Sequence, residues 1–224
     1  KGILISISNA KPSIDHEFIS IDASLPITVK EKDDALKEYE INSLVQKKQL
    51  ENPDSRIIVE NVDRSLPLLA TYSDSFQGLM FKDRIRLIVN FWEILPSHYW
   101  HYLQTSFSEK ILYTGKSLVL NWKEFDTNYK ILGGNYKWNS SWGHIGIAIS
   151  QMSSIPTTIF LGNKFDGNLS TLIPKQKEWL PALWCYCTSP KFLEELRKLD
   201  QKIHITTATL IKIPFDLIHW QNEA

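Results

Sequence analysis

Ile145-Gly146-Ile147-Ala148-Ile149-Ser150-Gln151 carries β-branched and small apolar residues over too short a span for a helix, and reads as a strand. Two more stretches of the same texture follow, Thr157 to Leu161 and Leu169 to Ile173. Gly162-Asn163 and Asp166-Gly167-Asn168 punctuate them with residues that accept the left-handed backbone of tight turns. Upstream, Lys116 to Trp122 has the same character, with Gly133-Gly134 as a turn between. Downstream, Leu180 to Leu199 is the clearest helix, with Pro181 at an early position that tolerates it. Ser189-Pro190 inside that helix predicts a kink or a break. Thr206 to Ile213 reads as a last strand, closed by Pro214. Strands, a helix and a further strand without repeats predict a mixed α/β (α+β) domain, with a small mixed sheet and flanking helices.

The first part of the chain is less regular. Lys1 to Asn9 has a strand-like opening, and Ala10 to Asp34 reads as an extended connector because Lys11-Pro12 and Leu25-Pro26 exclude helix. Lys32 to about Leu50 suits a helix, with acids first and lysines last. Asn52-Pro53-Asp54 is a turn before the strand-like Arg56 to Val59. From Ser65-Leu66-Pro67 a helical turn is expected through Tyr72, broken at Gln77-Gly78-Leu79, with Asp83 to Phe91 helical before Pro96. Lys1 in place of methionine, opening straight into a strand pattern, leads to the expectation that the chain is a piece of a longer polypeptide.

A length of 224 residues suffices for a sizeable core without disulfides or metal. Twenty-five basic and 25 acidic residues leave a formal net charge of zero, so no bulk basic excess advertises phosphate binding. A recognition module can keep base contacts while a neighbour supplies phosphate contacts. Cys185 and Cys187, spaced C-x-C, are poorly placed to pair with each other and have no second pair to complete a zinc site. Free thiols fit a reducing cytoplasm, and no apolar run reaches the length of a membrane span.

Catalytic signatures are missing. A methyltransferase using S-adenosylmethionine needs a glycine-bearing strand–helix turn and an Asn/Asp-Pro-Pro-aromatic loop for a flipped adenine. Asn52-Pro53 is followed by Asp54 and has no such aromatic. Pro53-Asp54 also lacks the following Glu/Asp-x-Lys of a magnesium-dependent nuclease. His98 and His101 stand at i, i+3 in an aromatic run, without a carboxylate at ligand spacing. No catalytic residue, metal ligand or cofactor site is expected within this chain.

What remains is binding equipment. Eight tryptophans is many, and Trp122, Trp138 and Trp142 lie in polar, turn-like settings beside Lys123, Lys137 and Ser141. Such rings can stack on bases while their neighbours reach phosphate, and they can equally cap a small core. Lys82, Arg84 and Arg86 form a basic cluster that would grip phosphate or line a solvated helix face. The loop from Gly162 to Asn168 offers Asn163, Lys164 and Asn168, with Gln151 at the end of the preceding strand. Amide side chains pair with adenine edges and lysine with guanine. The candidate DNA-binding residues are therefore Lys82, Arg84, Trp122, Lys137, Trp138, Trp142, Gln151, Asn163, Lys164 and Asn168.

The run from Trp142 to Met152, Phe165-Asp166-Gly167-Asn168, Leu180 to Phe192 and Asp200 to Asp216 together resemble the recognition region of large bacterial adenine-specific DNA methyltransferases. That family includes the type IIG restriction–modification enzymes, which fuse methylation and cleavage in one polypeptide. Ile5 to Pro12 is similar to the stretch where the family's catalytic domain ends. Gln49 to Asp54, Gln77-Gly78 and Phe91-Trp92-Glu93 fit the passage into target recognition, so the resemblance implies that residues 1–60 are the end of the catalytic domain with its connector and residues 61–224 the target-recognition domain. The resemblance implies a target-recognition domain like the specificity subunits of type I systems, acting on double-stranded DNA. It also implies a parent enzyme whose missing methyltransferase domain uses S-adenosylmethionine. Met80-Phe81-Lys82-Asp83 stands where the family often has a Thr-Gly-Asp turn, so contacts of that turn do not carry over. The competing expectation from the residues is a protein-interaction module of a DNA-modification or phage-defence complex.

Overall fold

The structure is a computed structural model that describes residues 4–23, 25–59, 65–81, 83–109, 111–131, 140–152 and 154–224. The chain divides into two compact units, residues 1–63 and 64–224.

The first unit is slight. Strand β1 (Glu17–Ser20) pairs antiparallel with β2 (Asn42–Val45), and helix α1 (Val29–Glu38) joins them. Thr28 and Glu31 close a capping box, each side chain accepting from the other's backbone N–H. The unit's buried residues among those described are Ala35, Gln49, Asn52 and Ile58. The Asn52 amide donates to Gln49 Oε1 and to the Arg56 carbonyl, and Ile58 N–H donates to the same Gln49 oxygen. Several expectations fail here. Residues 4–8 form no strand, the helix stops at Glu38, and Asn42 to Val45 pairs with a segment read as connector. Strand pairing across the helix overrides the local helical texture of Lys32 to Leu50.

The second unit is mixed α/β, with two four-stranded sheets and a helical layer. The first sheet runs β3 (Ser73–Gln77), β10 (Leu169–Pro174), β7 (Gly146–Ser150), β8 (Thr157–Phe160), antiparallel throughout. One face turns Ile147, Ile149 and Leu172 into the main core against α4 (Leu180–Thr188), α5 (Pro190–Leu199) and α6 (Thr207–Leu210). The other face turns Ala148, Phe160 and Leu169 onto Phe165. Burial on both faces accounts for the unbroken apolar run of β7. Phe215, just ahead of the last helix, and Trp220 within that helix, α7 (Leu217–Asn222), meet Tyr186 of α4, whose hydroxyl donates to the Pro214 carbonyl.

The second sheet runs β4 (Ile88–Asn90), β6 (Leu118–Asn121), β5 (Trp100–Gln104), β9 (Lys164–Phe165). The β5–β9 pair is parallel and the others antiparallel. Short helix α2 (Arg84–Leu87) precedes it, and α3 (Trp122–Ile131) leads off β6 with Asn121 Oδ1 accepting the Glu124 N–H. Phe125 of α3 packs on Leu103, Leu120 and Ile88.

Strands β7, β8 and β10 lie within a residue or two of the expected ones, and α4 and α5 part at Ser189, which is extended. Thr206 to Ile213 contains a helical turn instead of a strand. Its hydroxyls bond locally, Thr206 to Thr209, and outward to Ser170, which offsets β-propensity. Asp83 to Phe91 is one helical turn followed by strand β4. Cys185 and Cys187 are free thiols, and burial pushes the Cys187 thiol well above its ordinary range. Among the described residues no helix is long and apolar enough to cross a membrane.

Candidate nucleic-acid interface

Strand β9 is only two residues long, yet it fixes where Lys164 points. Its register sets Lys164 opposite Leu103 and Phe165 opposite Gln104. Side chains alternate along a strand, so Lys164 shares a face with Leu103 and His101, while Phe165 turns into the apolar layer between the sheets. Trp122 reaches the Lys164 face from the first position of α3, its N–H bonded to the Tyr99 carbonyl. Trp142 arrives from the turn at residues 140–143.

Two glycines bring that turn and the β8–β9 loop together. Gly143 N–H donates to the Gly162 carbonyl at 2.9 Å, and both residues have φ near the left-handed region, 83° and 80°. A Cβ on Gly162 would stand 2.6 Å from the Gly143 nitrogen, closer than any side chain allows. The contact is therefore one of backbone on backbone.

The result is a cation held between indoles. Lys164 Nζ lies 3.2 Å from the Trp142 ring centroid and 4.2 Å from that of Trp122. The two indoles meet edge to face, 88° apart at 5.5 Å, and His101 stacks on Trp122 at 5.6 Å. Burial lowers the Lys164 pKa from 10.5 to about 8. Burial first, and then the Lys164 charge, hold His101 below its usual value. The rings pull the other way, since a desolvated cation–π contact favours the ammonium by about 2 kcal/mol.

Arg84 and Asp166 form the adjoining anchor. Arg84 Nη1 donates to Asp166 Oδ2 at 3.0 Å, and the carboxylate is 2% exposed. Asp166 Oδ1 also accepts the Asn168 N–H, closing the turn that leaves Asn168 exposed. Trp122, Trp142 and Lys164 thus converge, with Asn163 preceding Lys164 in the chain and Arg84 and Asn168 tied to the same loop through Asp166. Gln151 stands apart. It is fully buried, and its Nε2 donates to Ser170 Oγ and Thr207 Oγ1, which takes its amide out of the surface. Lys82, Lys137 and Trp138 lie outside the described residues.

His101 and Asp166 belong to this site and were not in the sequence-derived set. The signal for His101 is the alternation in Trp-His-Tyr-Leu-Gln, which places it on one face with Leu103. Its strand conformation separates it from the helical i, i+3 pairing with His98. Among the described residues no group of three or more His, Cys, Asp or Glu is arranged to hold a metal ion. A scan of protein-family models finds none that matches the chain, and no curated protein is significantly similar to it.

The caged lysine predicts a pH dependence. Its folded pKa lies below the unfolded one, so between about pH 8 and 10.5 the unfolded chain binds the extra proton. This group's contribution to stability therefore rises with pH through that window and is at its least favourable below it. Denaturation midpoints of the wild type and Lys164→Met should differ by an amount that changes between pH 7.5 and pH 10 in the wild type's favour. A constant difference would contradict the desolvated site.

Proposed function

We propose that the chain is the DNA target-recognition module of a restriction–modification adenine DNA methyltransferase, with Trp122, Trp142, Asn163, Lys164, Arg84 and Asn168 on its DNA-facing surface. The meeting of Trp122, Trp142 and Lys164 from α3, a turn and β9 carries the reading. An ammonium beside half-buried indoles suits a phosphate next to a base or sugar, and the Asn163 and Asn168 amides suit base edges. The resemblance described above supplies the parent: a bacterial cytoplasmic enzyme whose own methyltransferase domain binds S-adenosylmethionine and performs the transfer.

A second reading, a protein-interaction module, draws on the first unit. Leu4, Ile7, Leu25, Ile27 and Val29 are each more than 80% exposed, a density of apolar side chains typical of surfaces that meet another protein. Docking onto a methyltransferase domain would reconcile the two readings.

Fluorescence anisotropy with labelled duplexes tests the first. Weak binding is expected that falls linearly on a log–log salt plot, with Lys164→Ala lowering the slope by about one counterion. Trp142→Ala should weaken binding about tenfold. No binding to any duplex at low salt, even with the chain joined to its catalytic domain, would sink the proposal.

A further inference from the structure

A second site lies away from the caged lysine, on the side of the β5–β6 pair where Trp100 and Asn121 are partners in register. An open depression of about 310 Å³ is lined there by Tyr99, Trp100, Asn121, Lys123, Glu124, Thr127 and Asn128. That volume is at the lower end of small-molecule sites and matches one nucleotide better than a larger ligand.

Two side chains in it are uncommitted among the described residues, and a third carries a charge with no ion pair. The half-buried indole of Trp100 stacks on no other ring and its N–H makes no hydrogen bond. The half-buried Asn128 amide makes none either, leaving a donor and an acceptor side by side. Lys123 is exposed and has no ion pair; its ammonium rests over the Tyr99 ring at 4.6 Å. The other charge is spoken for, because Glu124 pairs with Arg86 and receives the Asn121 amide. Thr127 donates to the Lys123 carbonyl. An unused aromatic face, an unused bidentate amide and one uncompensated positive charge remain.

We propose that this depression binds a single adenine nucleotide, with the base on Trp100, its amino edge on the Asn128 amide and its phosphate on Lys123. A side-chain amide matches the adjacent donor and acceptor of the adenine edge. An indole supplies stacking to any base, so the amide sets the preference. A neutral sugar would use the ring and the amide and leave Lys123 without a role. The site does not depend on the duplex-recognition reading, and a nucleotide could occupy it whether or not duplex DNA is bound elsewhere.

Isothermal titration of the full chain with adenosine monophosphate tests this. Binding at about millimolar or tighter is expected. Uridine monophosphate and ribose phosphate should bind at least about fivefold more weakly, and added salt should weaken adenosine monophosphate more than adenosine. Asn128→Ala should erase the preference for adenine over uracil, and Lys123→Ala the preference for the phosphorylated ligand. Lys123 is exposed and Asn128 only half-buried, neither in the apolar core, so these variants report on the site even if Trp100→Leu fails to fold. Silence with adenosine monophosphate at about ten times that concentration would overturn the proposal. So would equal binding of ribose phosphate, displacement by glucose, or affinities unchanged in both helix variants.

Discussion

Gly78→Ala is expected to cost about 3 kcal/mol or more, although it adds a single methyl group. Gly78 follows β3 and runs against the backbone of the β9 turn, where Leu79 N–H donates to the Phe165 carbonyl at 2.8 Å. A Cβ at this glycine would stand 2.0 Å from the Asp166 carbonyl oxygen and 2.6 Å from that of Phe165. Neither oxygen can retreat. Phe165 is sealed in the apolar layer, and Asp166 N–H is bonded to the Gln104 carbonyl on the far side. Gly143→Ala is the informative control. There a Cβ meets nothing within 4 Å, but φ is 83°, so only the left-handed conformation is penalised, at about 1 kcal/mol. Urea denaturation of both variants should rank them in that order. Equal midpoints would mean that β3 and β9 do not approach as closely as described.

Phe165→Ala should be comparably damaging, for a different reason. Its ring is fully buried and meets Phe160 edge to face at 5.2 Å, with Ala148 and Leu169 beside it. Removing a buried phenylalanine ring costs about 3–5 kcal/mol, because the surroundings do not close over the cavity. For a unit of this size that lowers the melting temperature by roughly 10 °C or more. Phe165→Leu, which keeps most of the volume, should recover over half of the loss. A melting temperature unchanged by Phe165→Ala would show that the layer between the sheets is not packed through this residue. Because Lys164 is the preceding residue, the same variant should also loosen the indole cage and redden the emission of Trp122 and Trp142.

The strands β7, β8 and β10 were legible because both of their faces are buried, so local composition and tertiary role agree. The break at Ser189 was legible for a similar reason: proline acts on the backbone whatever surrounds it. Strand β5 was not. Trp100 to Gln104 mixes aromatic, imidazole and amide side chains, and only its partners β6 and β9 make it a strand. The Thr-rich stretch at Thr206 failed in the opposite sense, since strong β-propensity yielded to hydroxyl bonds with Ser170 and within its own turn.

At the candidate interface, residue chemistry picked out Trp122, Trp142 and Lys164 one at a time. Their meeting depends on a two-residue parallel pairing and a contact between glycines, and neither has a composition of its own to read. Gln151 shows the converse. An amide at a strand end looks like a surface group, yet this loop tucks under α6 and turns it to Ser170 and Thr207. The depression beside Trp100 was invisible for the same reason as β5, since its floor and its wall come from elements that only the fold brings side by side.

Strand β3 pairs with β10 although β4 through β9 all lie between them in the chain. Helices α4, α5 and α7, by contrast, also pack on one another across a short span of sequence, through Tyr186 against Phe192 and Trp220. Closing a long loop must precede any reward from the β3–β10 ladder, so its formation limits how fast the second unit can fold. The β7–β8 hairpin and the helical layer need no such wait. Newly made chains therefore pass through a period in which the β10 edge that β3 will cover is open to other strands, and in which association with a second chain competes with completion of the sheet.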